Sequence, residues 1–236
     1  MLDDSSKGSA YIFVRSGSLW TQQAKLQLSD AVANDYFGSS VAISSDGNTA
    51  VIGAYGRATY GYAYVYTRSG TVWTKEANLT PADRTTVLKL GTSVSISANG
   101  NTVAVGAPNT AGGGKVIVFN RASGVWTIPA TGTLSSSTPG TSGMFGQSVS
   151  LSALGDILLI GAYGDPVNGT NSGSAYTFIL SSSGWKECMH LLPFDNGSGD
   201  AFGSAVAISG SGAVGMISSK ADDDRGTDAG SAYIYN

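Results

Sequence analysis

The chain has 236 residues and a mass of 23.9 kDa, enough for one substantial domain or two small ones. Hydrophobic residues make up 42% and charged residues 12%, and a usual soluble protein carries roughly twice that share of charge. A net charge of −3 and an isoelectric point near 4.9 offer no basic field for phosphates, which excludes nucleic acid as an expected partner.

The densest apolar run, Ile157-Leu158-Leu159-Ile160-Gly161-Ala162, is too short to cross a bilayer, so no membrane insertion is expected. One cysteine, Cys188, excludes an internal disulfide framework, and one histidine, His190, excludes zinc sites built from several imidazoles. The opening residues, Met1 to Lys7, lack the basic-then-apolar order of a signal peptide. That order fits a chain not exported by this route, or a mature form with an added methionine.

In chain order, Gly8-Ser9-Ala10-Tyr11 opens the first predicted strand, and Trp20 to Leu28 forms the second. There Trp20, Gln22, Ala24 and Leu26 alternate with polar positions, the period of a half-exposed strand. Phe37-Gly38 then introduces a strand over Ser39–Ile43. The turn at Asp46-Gly47 leads to a further strand, Thr49–Ala54. Asp46-Gly47, and Asn99-Gly100 after it, predict type I′ hairpin turns with both central residues at positive φ. A glycine-rich loop leads to Tyr62–Tyr66, and a turn at Ser69-Gly70 leads to a strand from Trp73 to Leu79.

The same order then recurs. Phe37-Gly38, Leu90-Gly91, Phe145-Gly146 and Phe202-Gly203 are each followed at one fixed distance by Gly53-Ala54, Gly106-Ala107, Gly161-Ala162 and Ser218-Ser219. Trp20, Trp73, Trp126 and Trp185 mark the fourth strand of each unit. Pro129 falls within that strand in the third copy and places it at a sheet edge. The repeats span residues 8–60, 61–113, 114–172 and 173–229, with an extra strand at 230–236, in one domain over 1–236. Units of four short antiparallel strands without helical periodicity predict an all-β chain, a β-propeller of four-stranded blades.

At the Phe-Gly and Gly-Ala pairs, the Gly-Ser-Ala-Tyr strands and the tryptophans, the sequence resembles the FG-GAP repeat family, which builds integrin α-subunit propellers and many extracellular proteins. The resemblance implies an extracellular or cell-surface adhesion or interaction module that binds a protein or glycan through its loops, and because no catalytic set assembles from the residues a non-enzymatic module is expected. It is specific for fold and much weaker for function. Calcium-binding blades of that family carry an acid-rich loop between the Phe-Gly and Gly-Ala strands. Here the connection is short, as in Ser44-Ser45-Asp46-Gly47-Asn48, and cannot supply the six to eight oxygens calcium needs.

Five Ala-Tyr strands accompany four copies of each other strand. A four-bladed ring would join Phe202–Ser219 to Trp20–Leu28 in one blade shared between the termini, with one Ala-Tyr strand surplus. The chain also fits a piece of a longer propeller. A third possibility is homo-assembly through the spare terminal strand, as the subunit of a surface layer or filament.

Candidate metal ligands are Asp222, Asp224 and Asp228, loop carboxylates that could offer oxygens to calcium or serve only as a solvated loop. Candidate ligand-binding residues are Tyr55, Tyr60, Tyr62 and Tyr163, loop aromatics that could stack on sugar rings or pack between blades. Asp30 and Asp35 recur as Asp195 and Asp200, which suggests acceptors for backbone N–H groups. His190 and Cys188 read as exposed residues of an outer strand. No catalytic set assembles. Asn78, Asn168 and Asn196 open glycosylation sequons.

Overall fold

The computed structural model describes residues 4–82, 86–138 and 143–236. It contains no α-helix among these residues and five antiparallel sheets, taken in chain order. The first is a hairpin of β1 (Ala10–Ser16) and β2 (Leu19–Leu26). The second holds β3 (Val41–Ile43), β4 (Thr49–Ala54), β5 (Tyr62–Ser69) and β6 (Val72–Leu79). The third holds β7 (Ser93–Ile96), β8 (Thr102–Ala107), β9 (Lys115–Ala122), β10 (Val125–Thr127) and β11 (Thr133–Leu134). The fourth holds β12 (Ser148–Leu151), β13 (Ile157–Ala162), β14 (Ser174–Ser181) and β15 (Gly184–Leu191). The last holds β16 (Phe202–Ile208), β17 (Gly215–Ser219) and β18 (Ser231–Tyr235).

Three sheets therefore carry the full set of strands in the expected order. The Trp strand lies outermost, and Pro129 splits it into β10 and β11, both paired with β9. A proline has no N–H for a ladder, so an edge position is the one that tolerates it. The blade expected to join the two termini does not form. β18 pairs with β17 and fills the third place of the last sheet, while β1 pairs only with β2. Both Ala-Tyr strands are thus in use, and the surplus one is β1, which lacks inner partners.

The cores lie between sheets. Val51, Val65 and Leu79 of one unit pack with Leu90, Val94 and Val103 of the next. Val116 and Val118 pack with Phe145, Val149 and Leu158, and Leu159 and Leu191 pack with Phe202 and Ile217. Central strands such as Thr49–Ala54 are buried along their whole length, which explains their continuous apolar, β-branched composition.

This spacing fixes one glycine per unit. A Cβ on Gly53 would lie 2.0 Å from the Gly91 carbonyl oxygen, one on Gly106 1.9 Å from that of Gly146, and one on Gly161 2.0 Å from that of Gly203. The adjacent sheet leaves no room for a side chain. Beside each glycine a serine crosses the interface, with Ser40, Ser93 and Ser148 Oγ donating to those same carbonyls at 2.8, 2.8 and 2.9 Å. In the last unit the two positions are Ser218 and Ala205, and among the described residues no sheet packs there.

The hairpin turns correct the type I′ expectation. Gly47 and Gly100 have positive φ, but Asp46 and Asn99 do not. Gly47 N–H donates to Ser44 O and Gly100 N–H to Ser97 O, so the glycine closes the turn rather than occupying its centre. The reason lies in the side chains. Asp46 Oδ1 accepts from Ser44 Oγ and from Asn48 N, and Ser44 Oγ accepts from Thr49 N. Ser97 and Asn99 repeat the arrangement. A local acceptor holds the residue before glycine at negative φ.

Each outer strand with a complete ladder carries a bulge that leaves Gln23, Glu76 and Cys188 unpaired. The bulge turns the first two toward the next sheet. Trp73 Nε1 donates to Gln23 Oε1 and Trp126 Nε1 to Glu76 Oε1, both at 2.9 Å. In the following unit the corresponding residue is Pro129, which offers no side-chain acceptor, and Trp185 Nε1 is buried with no hydrogen-bond partner among the described residues.

Candidate functional site

Side chains able to do chemistry gather where the loop after each Gly-Ala strand meets the segment before the Phe-Gly pair. Arg57, Thr110, Asp165 and Asp222 hold one position there, three residues past Ala54, Ala107, Ala162 and Ser219. In each unit the carbonyl of this residue accepts the N–H of the glycine before the Ala-Tyr strand: Gly61, Gly114, Gly173 and Gly230. The backbone role is constant and the side chain varies.

Arg57 spans Asp30 Oδ2 at 2.5 Å and Asp35 Oδ2 at 2.6 Å. Thr110 Oγ1 accepts Leu88 N–H at 3.1 Å. Asp165 is buried and accepts from the hydroxyls of Ser174 and Tyr176. Burial, followed by the Asp165 hydrogen bond, pushes the Tyr176 hydroxyl up to about 12. The expectation that recurring acids before Phe-Gly accept backbone N–H groups is met at Asp35, by Val32, and at Asp200, by Gly197.

The last unit has acids on both sides of the gap that Arg57 bridges in the first. Asp195 occupies the place of Asp30, and Asp222 that of Arg57. The Tyr233 hydroxyl lies between them, 2.6 Å from Asp222 Oδ2 and 2.9 Å from Asp195 Oδ1. Carboxylate oxygens of Asp195, Asp222 and Asp224 lie within 4.8 Å of one another. The Tyr233 hydrogen bond holds the Asp222 carboxyl below its usual range, and the Asp222 charge raises that of Asp224. Burial and the two acids push the Tyr233 hydroxyl well above its ordinary value.

Of the three predicted metal ligands, Asp222 and Asp224 come together, while Asp228 is exposed and outside the group. Asp195 was missed. The signal for it is the column comparison: the position that holds a guanidinium over two acids in the first unit is itself an acid in the last. Three carboxylates could hold a cation with further oxygens from water. The calcium loop of the family does not fit here, because in Ser44–Asn48 the single carboxylate, Asp46, is taken by Ser44 and Asn48.

The four predicted tyrosines do not meet. The Tyr55 ring stacks on Tyr36 at 4.8 Å, with Lys89 Nζ 4.9 Å from its centroid. Lys220 Nζ lies 5.2 Å from the Tyr163 centroid. Tyr62 stacks on Tyr64 and packs against the core behind it. Tyr60 lies in the next loop beside Pro81, Val87 and Leu90. Tyr36 and Lys89, one residue before Phe37 and Leu90, both have positive φ, as do Met144 and Ala201 at the same position. Tyr36, Tyr55, Lys89, Tyr163 and Lys220 therefore mark one rim.

His190 corrects its expected exposure. It is half-buried, its ring lies parallel to Tyr176 at 4.5 Å, and its Nε2 has no hydrogen-bond partner among the described residues. The bulge at Cys188 shifts the register and turns His190 onto Tyr176, its cross-strand neighbour. Cys188 is exposed, as expected.

Among solved structures, the chain is similar to TolB from Acinetobacter baumannii at 10% identity and a TM-score of 0.54, over 97% of this chain and 46% of that one. It is similar to Kuenenia stuttgartiensis hydrazine synthase at 12% identity and a TM-score of 0.61, over 98% of this chain and 66% of that one. Likeness at this identity carries the fold alone, and the chain spans less than two thirds of each. No curated protein matches it. The FG-GAP repeat model matches residues 20–66, 73–119, 131–178 and 185–235. With that repeat matched four times over most of its length, the chain belongs to the FG-GAP repeat family.

Proposed function

We propose that the chain is a non-enzymatic interaction module that binds a protein ligand through the rim of Tyr36, Tyr55, Lys89, Tyr163 and Lys220, in an extracellular or cell-surface setting. One observation carries the reading. The buried loop acids Asp35, Asp165 and Asp222 are each bound to a partner side chain, while the rim aromatics and lysines stay partly exposed. Asp35 is bound to Arg57, Asp165 to Tyr176 and Asp222 to Tyr233, so none faces an open pocket as a free acid or base. Two tyrosine hydroxyls held at about 12 are poor nucleophiles near neutral pH. A protein is favoured over a glycan because Tyr55 and Tyr62 already stack on neighbouring rings and do not offer open platforms.

The test is a screen of extracellular protein and glycan arrays, followed by titration of any hit against Tyr55→Ala and Tyr163→Ala variants. Saturable binding weakened at least tenfold by either change supports the rim. Binding unaffected by both, or turnover lost on changing Asp165 or Asp222, would sink this reading.

A second reading, assembly through the terminal strands, is favoured by the apolar side chains left open between the first two sheets. Tyr11, Phe13, Val41 and Ile43 are each at least half-exposed.

A further inference from the structure

The two ends of the row of sheets differ, and the difference is written in positions whose internal role is known. In three units a Phe-Gly phenylalanine sits against two side chains of its own Ala-Tyr strand. Phe37 meets Tyr64 and Tyr66 at 5.7 and 6.2 Å, Phe145 meets Tyr176 and Phe178 at 5.4 and 5.9 Å, and Phe202 meets Tyr233 and Tyr235 at 5.5 and 6.3 Å. On β1 the same two positions are Tyr11 and Phe13. They have no phenylalanine and are 50% and 51% exposed.

The next strand tells the same story. Val94 and Val149 are 9% exposed under the preceding sheet, and Leu151 is 7% exposed. The corresponding Val41 and Ile43 are 63% and 52% exposed. Together with Tyr11 and Phe13 they line an open groove of about 320 Å³ between β1 and β3. Among the described residues β1 also has no ladder partner on its inner side.

The opposite end is not built to fill that groove. Where Gly53, Gly106 and Gly161 leave room for a neighbour's carbonyl, Ser218 carries a Cβ, and where Ser40, Ser93 and Ser148 donate to that carbonyl, Ala205 has no hydroxyl. A second copy docking by its last sheet would meet a clash and lose a hydrogen bond.

We propose that the groove between β1 and β3 is a docking site for one Phe-Gly/Gly-Ala β-hairpin of the internal kind, supplied by a partner polypeptide. The partner's phenylalanine covers Tyr11 and Phe13, its second strand pairs with β1, and a glycine and a serine of the hairpin meet the Gly38 carbonyl. Backbone pairing supplies affinity and the aromatic and glycine positions supply selectivity, as in strand addition generally. The inference goes beyond the rim reading and replaces self-assembly through the terminal strands with strand addition from a different polypeptide.

The probe is a peptide of this chain's own Phe145–Ala162, which carries Phe145, Ser148 and Gly161, titrated into the whole protein. Expected is one-to-one binding that slows amide hydrogen exchange at least tenfold across 10–13 and 41–43. Ile43→Lys in the protein or Gly161→Val in the peptide should abolish it. Unchanged exchange with the fused variant described next also unaltered, or protection that survives both substitutions, overturns the proposal. Because a free peptide can fail to fold, the second arm replaces residues 1–7 with a copy of residues 143–172, joined ahead of Gly8. A raised urea midpoint with protected 10–13 amides supports the site, and a midpoint no higher than the parent's overturns it. The unliganded chain should sediment at 23.9 kDa, and self-association abolished by Met216→Lys would overturn the assignment of the two ends. If the hairpin fails in both arms while a protein ligand still binds the tyrosine rim, this site falls and the rim reading stands.

Discussion

Replacing Gly106 by serine copies into the second unit the residue that the last unit carries at Ser218, and the structure sets the cost. The new Cβ would stand 1.9 Å from the Gly146 carbonyl oxygen, so the two sheets must part by more than an ångström to restore ordinary contact. A gap of about 1 Å forfeits up to half the dispersion well at each facing atom, and it stretches the 2.8 Å bond from Ser93 Oγ to Gly146 O. Both effects fall on the interface that buries Val118, Phe145 and Val149. Overpacking of this kind against backbone costs about 3 kcal/mol. For a chain of this length that lowers Tm by roughly 6–12 °C. Urea denaturation followed by tryptophan fluorescence reads the change directly. Ser218→Gly is the matched control: it loses the bonds to Ser204 and Ala205 and should cost no more than about 1 kcal/mol. If Gly106→Ser falls within about 1 kcal/mol of the parent, or costs no more than its control, close approach of the next sheet is not what requires the glycine.

Glu76→Ala removes the acceptor of Trp126 Nε1 and the partner of Arg121 at 2.8 Å, a half-buried charged pair worth about 2 kcal/mol by urea denaturation. Glu76→Gln should cost less than half as much, since glutamine at position 23 serves Trp73 in the same way. Asp222 has a depressed carboxyl in the folded chain, so its contribution is present above the ordinary value of 3.8 and lost as pH falls through the folded one. Tyr233→Phe should therefore lower the urea midpoint at pH 7 and flatten its decline between pH 5 and 2; an unchanged acid limb would refute the coupling. Tyr64 and Tyr176, raised to about 12, should stay protonated at pH 10 by absorbance at 295 nm. Their contribution is present below pH 10 and lost as pH rises toward 12. Calcium should bind Asp195, Asp222 and Asp224 more weakly than about 10⁻⁴ M by calorimetry, because Tyr233 already occupies two of their oxygens; micromolar binding would refute this.

The strand order of each unit was legible because its markers sit where the repeat is constrained: a glycine against a neighbour's carbonyl, a phenylalanine between two rings, a tryptophan on the outer edge. Ser218-Ser219 departs from the Gly-Ala pair at a position where, among the described residues, no neighbouring sheet demands glycine. The shared terminal blade was not foreseeable as absent, since Gly8-Ser9-Ala10-Tyr11 and Gly230-Ser231-Ala232-Tyr233 compete for one place with near-identical sequence. The turn type was misjudged from Asp-Gly alone. Ser44, Ser97, Ser152 and Ser209 stand at one position in all four units, and their hydroxyls accept the N–H of Thr49, Thr102, Ile157 and Val214, at or just before the start of the next strand. In the site, Asp222 and Asp224 were readable as a loop cluster. Asp195 was not, because its contact depends on Tyr233, 38 positions away.

Placing every core between sheets also orders the way the chain can come together during synthesis. Of the five sheets the β1–β2 hairpin is made earliest, and Ala10, Leu26 and Leu28 meet Phe37, Ile52 and Tyr64 only when those residues have followed. A two-stranded hairpin without such partners is marginal in water. Each later unit likewise settles its predecessor as it emerges, so structure is deferred by one repeat throughout elongation.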